Sequence, residues 1–390
     1  MLFINRRLGM DFVTLAFYIV LSFVLVFGVK ISINKNYFLK IDSKSKSIAS
    51  FNIGYFFLAS IFIFFAVFRY VYNGYGGTDA YSYVTFFQEI NGSVFDYFKI
   101  ERFLKFWNYS ESLFNIITLI FRRISADYHL YFLFTYGLIV VGLFSFVYNT
   151  YDKKSNFLTL ILLFCSYLHS YNVMRGWMSI AICMFALIDI KEKRWAKSLV
   201  SIIIAVFFHT ISIIFILVWV VCRIEDKYPR FFTRQKLFLY AALVNLSFFV
   251  GKNLAIAIIM STKYSSYAEM FNMPVSIIGY IPTYIICFVA VLMYPRFKRL
   301  GGFSSTTVII LAVDLSLLYF TVFLRGWRIH DYFAPIRMYM LSRFYIEIPK
   351  GFKEKTLIKM LINLYIAALF VQSIHGLLEG SKVFPYILNI

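Results

Sequence analysis

The sequence predicts an all-α fold that crosses a membrane many times. Hydrophobic residues make up 61% of the 390 positions and charged residues 15%, well below the roughly one quarter charged that is usual in soluble domains. The mean hydropathy is +0.74. The apolar residues gather in repeated long runs, and about 20 residues carry a helix across a hydrocarbon core. Strands of an outer-membrane barrel would alternate polar and apolar positions over about 10 residues, and these runs do not.

In order, twelve spanning segments are expected at about residues 12–30, 51–68, 129–149, 157–172, 174–190, 196–208, 210–222, 237–254, 275–293, 305–323, 331–347 and 357–377. The first follows Arg6 and Arg7 with no small-residue cleavage site, so it is expected to remain as an anchor. The pairs 157–190 and 196–222 have almost no connecting loop. That predicts broken or tilted helices beside a cavity, because irregular backbone at depth needs protein or water around it. No internal repeat stands out, and residues 1–390 are expected to form a single membrane domain.

The connections set an orientation. Those at 31–50, 151–156, 190–197, 223–236, 294–302 and 348–356 are short and rich in Lys and Arg, as in "KEKRWAK". The positive-inside rule puts them in the cytoplasm, which accounts for the formal charge of +20 without any nucleic acid. Both termini and the connections 69–128, 173–176, 251–274 and 324–330 then lie outside, with Arg6 and Arg7 against the rule. Within the long connection 69–128, the apolar stretch 113–121 is too short to span and Arg122 and Arg123 close it, so 112–123 reads as an amphipathic or re-entrant helix.

Charged residues at the outer helix ends carry the functional reading. Arg69, Arg175, Arg325, Arg328 and Arg337 all fall there. Charge at that depth is costly unless it faces a cavity, a partner or an anion, and the guanidinium fork suits phosphate. Snorkelling toward headgroups explains any one of them, whereas five on one face point to a cavity for a polyanion. His129, His169, His209, His330 and His375 sit at the same ends, and no pair has H-x-x-x-H spacing, which argues against zinc. Cys165, Cys183, Cys222 and Cys287 lie inside apolar runs and read as small buried hydrophobes. In "RYVYNGYGGTDAYSYV", residues 69–84, Gly74, Gly76 and Gly77 permit a sharp turn or close ligand approach. Thr78 and Asp79 either cap the helix that follows or serve the cavity. The "GYG" lacks the run of carbonyls a potassium filter uses.

Four stretches together resemble the EpsG-like and Wzy-type polymerases of bacterial surface polysaccharides. They are "RYVYNGYGGTDAYSYV", "ESLFNII", "NVMRGWMSIAICMFALIDIKEKRWAKSLVSIIIAVFFHTISIIFIL" and "RGWRIHDYF". The likeness covers most of residues 50–340, and its most specific part is the unit 175–209. It places Arg69, Gly77, Thr78, Asp79, Tyr83, Arg175, Ala205 and His209 on the family pattern. Gly176 and Trp177 depart from it where glutamine often follows the arginine, and Ser112 departs where proline is expected.

The resemblance implies a GT-C-like membrane glycosyltransferase of the bacterial inner membrane, with its site on the periplasmic face. Such an enzyme joins oligosaccharide repeat units carried on undecaprenyl pyrophosphate, donor and acceptor both being lipid-linked, toward O-antigen, capsule or exopolysaccharide. No metal or cofactor is implied, and a chain-length regulator protein is a further possible partner. Arg69, Arg175, Arg325, Arg328 and Arg337 would contact pyrophosphate or acidic sugar, with Thr78, Tyr83, Glu111 and Asp331 as further substrate contacts. His209 or His330 would take the acceptor proton, with Asp79, Glu111 or Asp331 as rivals or orienters. His330 and Asp331 are adjacent and so do not face each other on a helix. The rival readings are a flippase, which usually shows two similar halves, a ligase using the same chemistry, and a non-enzymatic scaffold.

Overall fold

The computed structural model describes residues 53–72, 75–94, 111–150, 153–261, 280–301, 303–324, 326–351 and 353–375. The expected segment 12–30, the start of 275–293, Gly74 and Arg325 lie outside the described residues. Apart from isolated bridge residues at Arg69, Tyr72 and Tyr75, no β-structure occurs among them. The helices, in chain order, are α1 (Ile53–Val67), α2 (Thr78–Glu89), α3 (Ser112–Ile124), α4 (Tyr128–Thr150), α5 (Lys153–Tyr167), α6 (Met174–Lys191), α7 (Trp195–Phe208) and α8 (Ile214–Lys227). There follow α9 (Arg234–Val250), α10 (Lys252–Met260), α11 (Ile281–Leu292), α12 (Tyr294–Leu300), α13 (Phe303–Ser316), α14 (Leu318–Phe323), α15 (Trp327–Glu347) and α16 (Lys355–His375).

Helix α6 is the axis of the bundle. It is apolar around its whole circumference, as a helix covered on every side must be, and nearly all its residues from Met174 to Ile190 are buried. Helices α4 and α7 flank it. At Gly142 a Cβ would stand 2.6 Å from the Ala181 Cβ, so α4 and α6 come this close only because position 142 has no side chain. Small residues allow the same backbone approach at other membrane-helix contacts. Helix α15 packs on α5, while α13 packs against α9, α11 and α15 and joins the second half of the bundle to the first.

The basic hairpin 191–194 turns α6 back into α7. Lys193 takes a left-handed φ of 58°, and Arg194 closes the turn by bonding the Asp189 carbonyl at 2.8 Å. The Arg194 guanidinium also holds the buried Asp189 carboxylate at 2.5–2.8 Å. With a rise of about 1.5 Å per residue, Arg175 and His209 lie roughly 24 and 21 Å from this hairpin. They therefore stand level at its far end.

Both tight pairs predicted from the sequence contain breaks. Helix α5 tightens into a 3₁₀ turn at Leu168–Tyr171 before α6, and α7 stops at His209 before a 3₁₀ turn at Thr210–Ile213. Among the described residues, two helices, within Tyr128–Asn149 and Lys355–Gln372, are long and apolar enough on their own to cross a membrane. There are up to four if the bent pairs α9–α10 (72°) and α11–α12 (63°) each count as one span. The other helices are interrupted by polar residues or are shorter, so length and composition do not establish a count of twelve. Exposed Leu239, Leu243, Leu246 and Phe249 on α9, with Leu357, Leu361, Leu364 and Val371 on α16, give the bundle an apolar exterior. That is what a lipid-facing wall requires and what a water-facing surface avoids.

Candidate active site

The N-termini of α2, α3, α6 and α15 meet the C-terminus of α7 at one end of the bundle. Residue 79 comes from α2, 111 from the start of α3, 175 from α6, 209 from the end of α7 and 328 from α15. Each helix N-terminus carries partial positive charge and free N–H groups, so their convergence favours anionic groups.

Glu111 is the hub. It is the N-cap residue of α3 and is 7% exposed, yet its carboxylate does not cap the helix. One oxygen accepts from His209 Nδ1 at 2.6 Å and the other from Arg175 Nη1 at 2.5 Å. A carboxylate only accepts hydrogen bonds, so the Nδ1 proton is fixed in that contact and Nε2 carries the lone pair. His209 Nε2 is buried and has no hydrogen-bond partner among the described residues. The His209 backbone is extended, and its carbonyl accepts from Ser212 Oγ at 2.5 Å. The Tyr332 ring stacks on the imidazole at 6.4 Å, and the Tyr332 hydroxyl bonds Ser179, whose Oγ also donates to the Gly176 carbonyl at 2.8 Å. His209 is therefore held at both its backbone and its ring.

Arg175 lies over the rings of Tyr83 (5.7 Å) and Phe114 (5.5 Å), which pack edge-on to one another. Tyr83 is thus a wall beneath the guanidinium. Arg328 pairs with Asp79 at 2.9 Å, joining α15 to α2 across 249 residues of sequence. A narrow cleft lies beside His209 and Arg328, its polar lining being His209, Arg328, Asp331 and Tyr332, and its apolar lining Val173, Gly176, Trp177 and Ile180.

The N-terminus of α2 is capped from outside its own segment. The Asn172 Oδ1 accepts from the Asp79 N–H at 2.8 Å and from Thr78 Oγ1 at 3.3 Å. Gly77 is the N-cap residue, and neither Thr78 nor Asp79 acts as the cap; this leaves the Asp79 carboxylate free to reach Arg328. Gly77 has φ 110°, and a Cβ there would stand 2.9 Å from the Tyr171 carbonyl oxygen, so the turn needs glycine.

Two of the arginines picked out in the sequence are engaged elsewhere. Arg69 is 1% exposed; it donates to the Gly76 carbonyl (3.2 Å), the Tyr136 hydroxyl (2.7 Å), the Tyr171 carbonyl (2.9 Å) and the Ala66 carbonyl. Its guanidinium sits 4.9 Å from the centroids of Phe132, Tyr136 and Tyr171. Arg69 is therefore a buried strut for the 69–77 turn, with its fork used on protein groups. Arg337 is likewise buried, pairing with Asp314 at 2.6 Å and donating to the His330 carbonyl at 2.6 Å. His330 packs against Tyr280 and Tyr284, away from Glu111 and His209. With Arg325 outside the described residues, the site holds Arg175 and Arg328 beside Asp79, Glu111 and Asp331. Its two arginines are each already matched to a carboxylate, whereas the sequence suggested five arginines on one face turned toward a polyanion.

Asn172, Tyr332 and Ser179 were not among the expected site residues. Asn172 was visible, with His169 and Ser170, in the polar stretch before Arg175, whereas the roles of Tyr332 and Ser179 depend on contacts between distant helices. Among the described residues, no group of three or more His, Cys, Asp or Glu could hold a metal ion.

An all-helical membrane protein with a charged, His-containing cleft where helix ends converge is thus defined. The chain belongs to the EpsG family, whose pattern matches residues 54–388. That family consists of polysaccharide-polymerase-like membrane proteins. No curated protein and no solved structure matches the chain.

Proposed function

We propose that the protein is a polysaccharide polymerase that joins lipid-pyrophosphate-linked oligosaccharide units. The observation that carries this reading is Glu111 bonded at once to His209 Nδ1 and Arg175, with His209 Nε2 left bare beside the cleft. The imidazole is thereby prepared as a base, and a base within hydrogen-bond reach of a hydroxyl is what glycosyl transfer to a sugar acceptor needs.

In the proposed reaction, His209 Nε2 takes the proton of an acceptor hydroxyl as its oxygen bonds to the anomeric carbon of the donor. The bond from that carbon to the pyrophosphate oxygen breaks, and the lipid pyrophosphate leaves with the electron pair. Glu111 stabilises the imidazolium. Arg175, Arg328 and the helix N-termini offset the charge growing on the leaving group, as positioned donors do where charge develops. The proton then passes from His209 to the released pyrophosphate or to water, and nothing else is consumed. Undecaprenyl pyrophosphate as carrier, an outward-facing site and an inner-membrane location complete the reading, and the family membership supports them.

The test uses purified protein in lipid with a polyprenyl-pyrophosphate repeat unit and no nucleotide sugar. A ladder of products of increasing length is expected. His209→Ala should lower the rate by about 10²–10⁴-fold, the usual share of acid–base catalysis, without loss of membrane insertion. Movement of the unit across a sealed bilayer with no ladder would instead make the protein a flippase.

A further inference from the structure

Position 176 has no side chain, although nothing in its backbone asks for glycine. Gly176 lies in the first helical turns of α6, and its φ is in the ordinary negative range, unlike those of Gly76 and Gly77. Glycine inside a helix is less favourable than alanine, so the bare position here corresponds to something other than conformation. Its neighbourhood supplies a reason. A Cβ built at 176 would lie 3.5 Å from His209 Cδ2 and 3.9 Å from His209 Nε2, against the one edge of the imidazole that has no partner. Position 176 also lines the cleft with His209, Arg328 and Asp331.

We propose that Gly176 is a specificity-determining residue: its missing side chain keeps a methyl group off the Nε2 edge of His209, the edge that an acceptor sugar hydroxyl must approach. This rests on the polymerase reading above and assigns the acceptor subsite within it. A ring hydroxyl at hydrogen-bond distance from Nε2 carries its own carbon and that carbon's neighbours into the space beside position 176. Water carries nothing with it. A methyl group at 176 therefore excludes a sugar acceptor more strongly than it excludes water, and the enzyme's choice between transfer and hydrolysis of the donor is set partly there.

The experiment first establishes a product ladder with the wild-type protein; its absence would count against the polymerase reading itself. With the ladder in hand, Gly176→Ala is compared with wild type for polymer formed and for donor hydrolysed to free oligosaccharide, using the same polyprenyl-pyrophosphate repeat unit. The expected result is a fall in the transfer-to-hydrolysis ratio on the order of tenfold or more, the scale of one misplaced methyl in a binding pocket. An added Cβ would also press on Val173 Cγ1, at 3.2 Å. The double variant Gly176→Ala with Val173→Ala separates the two effects, because it relieves that contact while leaving the methyl beside Nε2. If the double variant keeps the lowered ratio, the acceptor-space assignment stands. It is overturned if the double variant restores the ratio, or if Gly176→Ala lowers transfer and hydrolysis equally or changes neither.

Discussion

Glu111 shows how one carboxylate can organise a site. Its two oxygens hold two different side chains from two different helices, and deleting it removes both the bond that fixes the imidazole's tautomer and the ion pair that aims the guanidinium. Glu111→Gln should therefore lower kcat for polymerisation with little change in KM, and Glu111→Ala should lower it further; steady-state measurement on both variants checks this. Arg69 and Arg175 looked alike in the sequence, both being arginines at helix ends. Arg69 in fact points into a cage of tyrosines and carbonyls. Arg69→Met should reduce the yield of folded protein, while Arg175→Met should insert normally and lose polymerisation, as size-exclusion profiles and product gels would report. Sequence alone could not separate the two. Residue type and depth were legible, but the direction of each side chain depends on Tyr136 and Tyr171 in one case and Glu111 in the other.

Helix α15 carries one wall of the cleft and contains Pro335, which cannot donate to the carbonyl a turn before it and so weakens the helix at that point. Arg337, two residues on, reaches back to the His330 carbonyl while Asp314 of α13 neutralises its charge. The pair thus fastens the first turns of α15, and with them Arg328 and Asp331, to α13. Asp314→Ala strands a buried guanidinium and should cost about 3–5 kcal/mol. Replacing both partners with leucine and methionine should recover most of that stability in denaturation, while polymerisation stays low because the His330 carbonyl has lost its anchor. In α2 the backbone governs. Gly77→Ala meets both a positive φ and the Tyr171 carbonyl, and a loss on the order of 1–3 kcal/mol is expected, measurable as a fall in Tm.

At the scale of the molecule, helix positions were largely readable from apolar runs, and the α6–α7 hairpin was readable from "KEKRWAK" between two such runs. From that hairpin, matched helix lengths alone bring Arg175 and His209 to one end. The number of spans was not readable in the same way. Bends at residues 251 and 293 and breaks at 209 and 317 divide the apolar runs into pieces whose depth depends on their neighbours. Pairings across long separations, such as Asp79 with Arg328 and Glu111 with His209, were also out of reach, since no local pattern encodes them.

The span between Asp79 and Arg328 bears on how the molecule comes into being. Domains fold progressively as synthesis proceeds from the N-terminus. Asp79, Glu111, Arg175 and His209 therefore emerge and can assemble while one side of the cleft is still missing. Arg328, Asp331 and Tyr332 arrive only after α14 has been made, so a growing chain holds His209 and its hub carboxylate without the residues that close the cleft beside them. A ribosome-bound intermediate ending before residue 327 would be folded around α6 yet inert, and reactivity would switch on in a single late step, when α15 docks on α5 and α13.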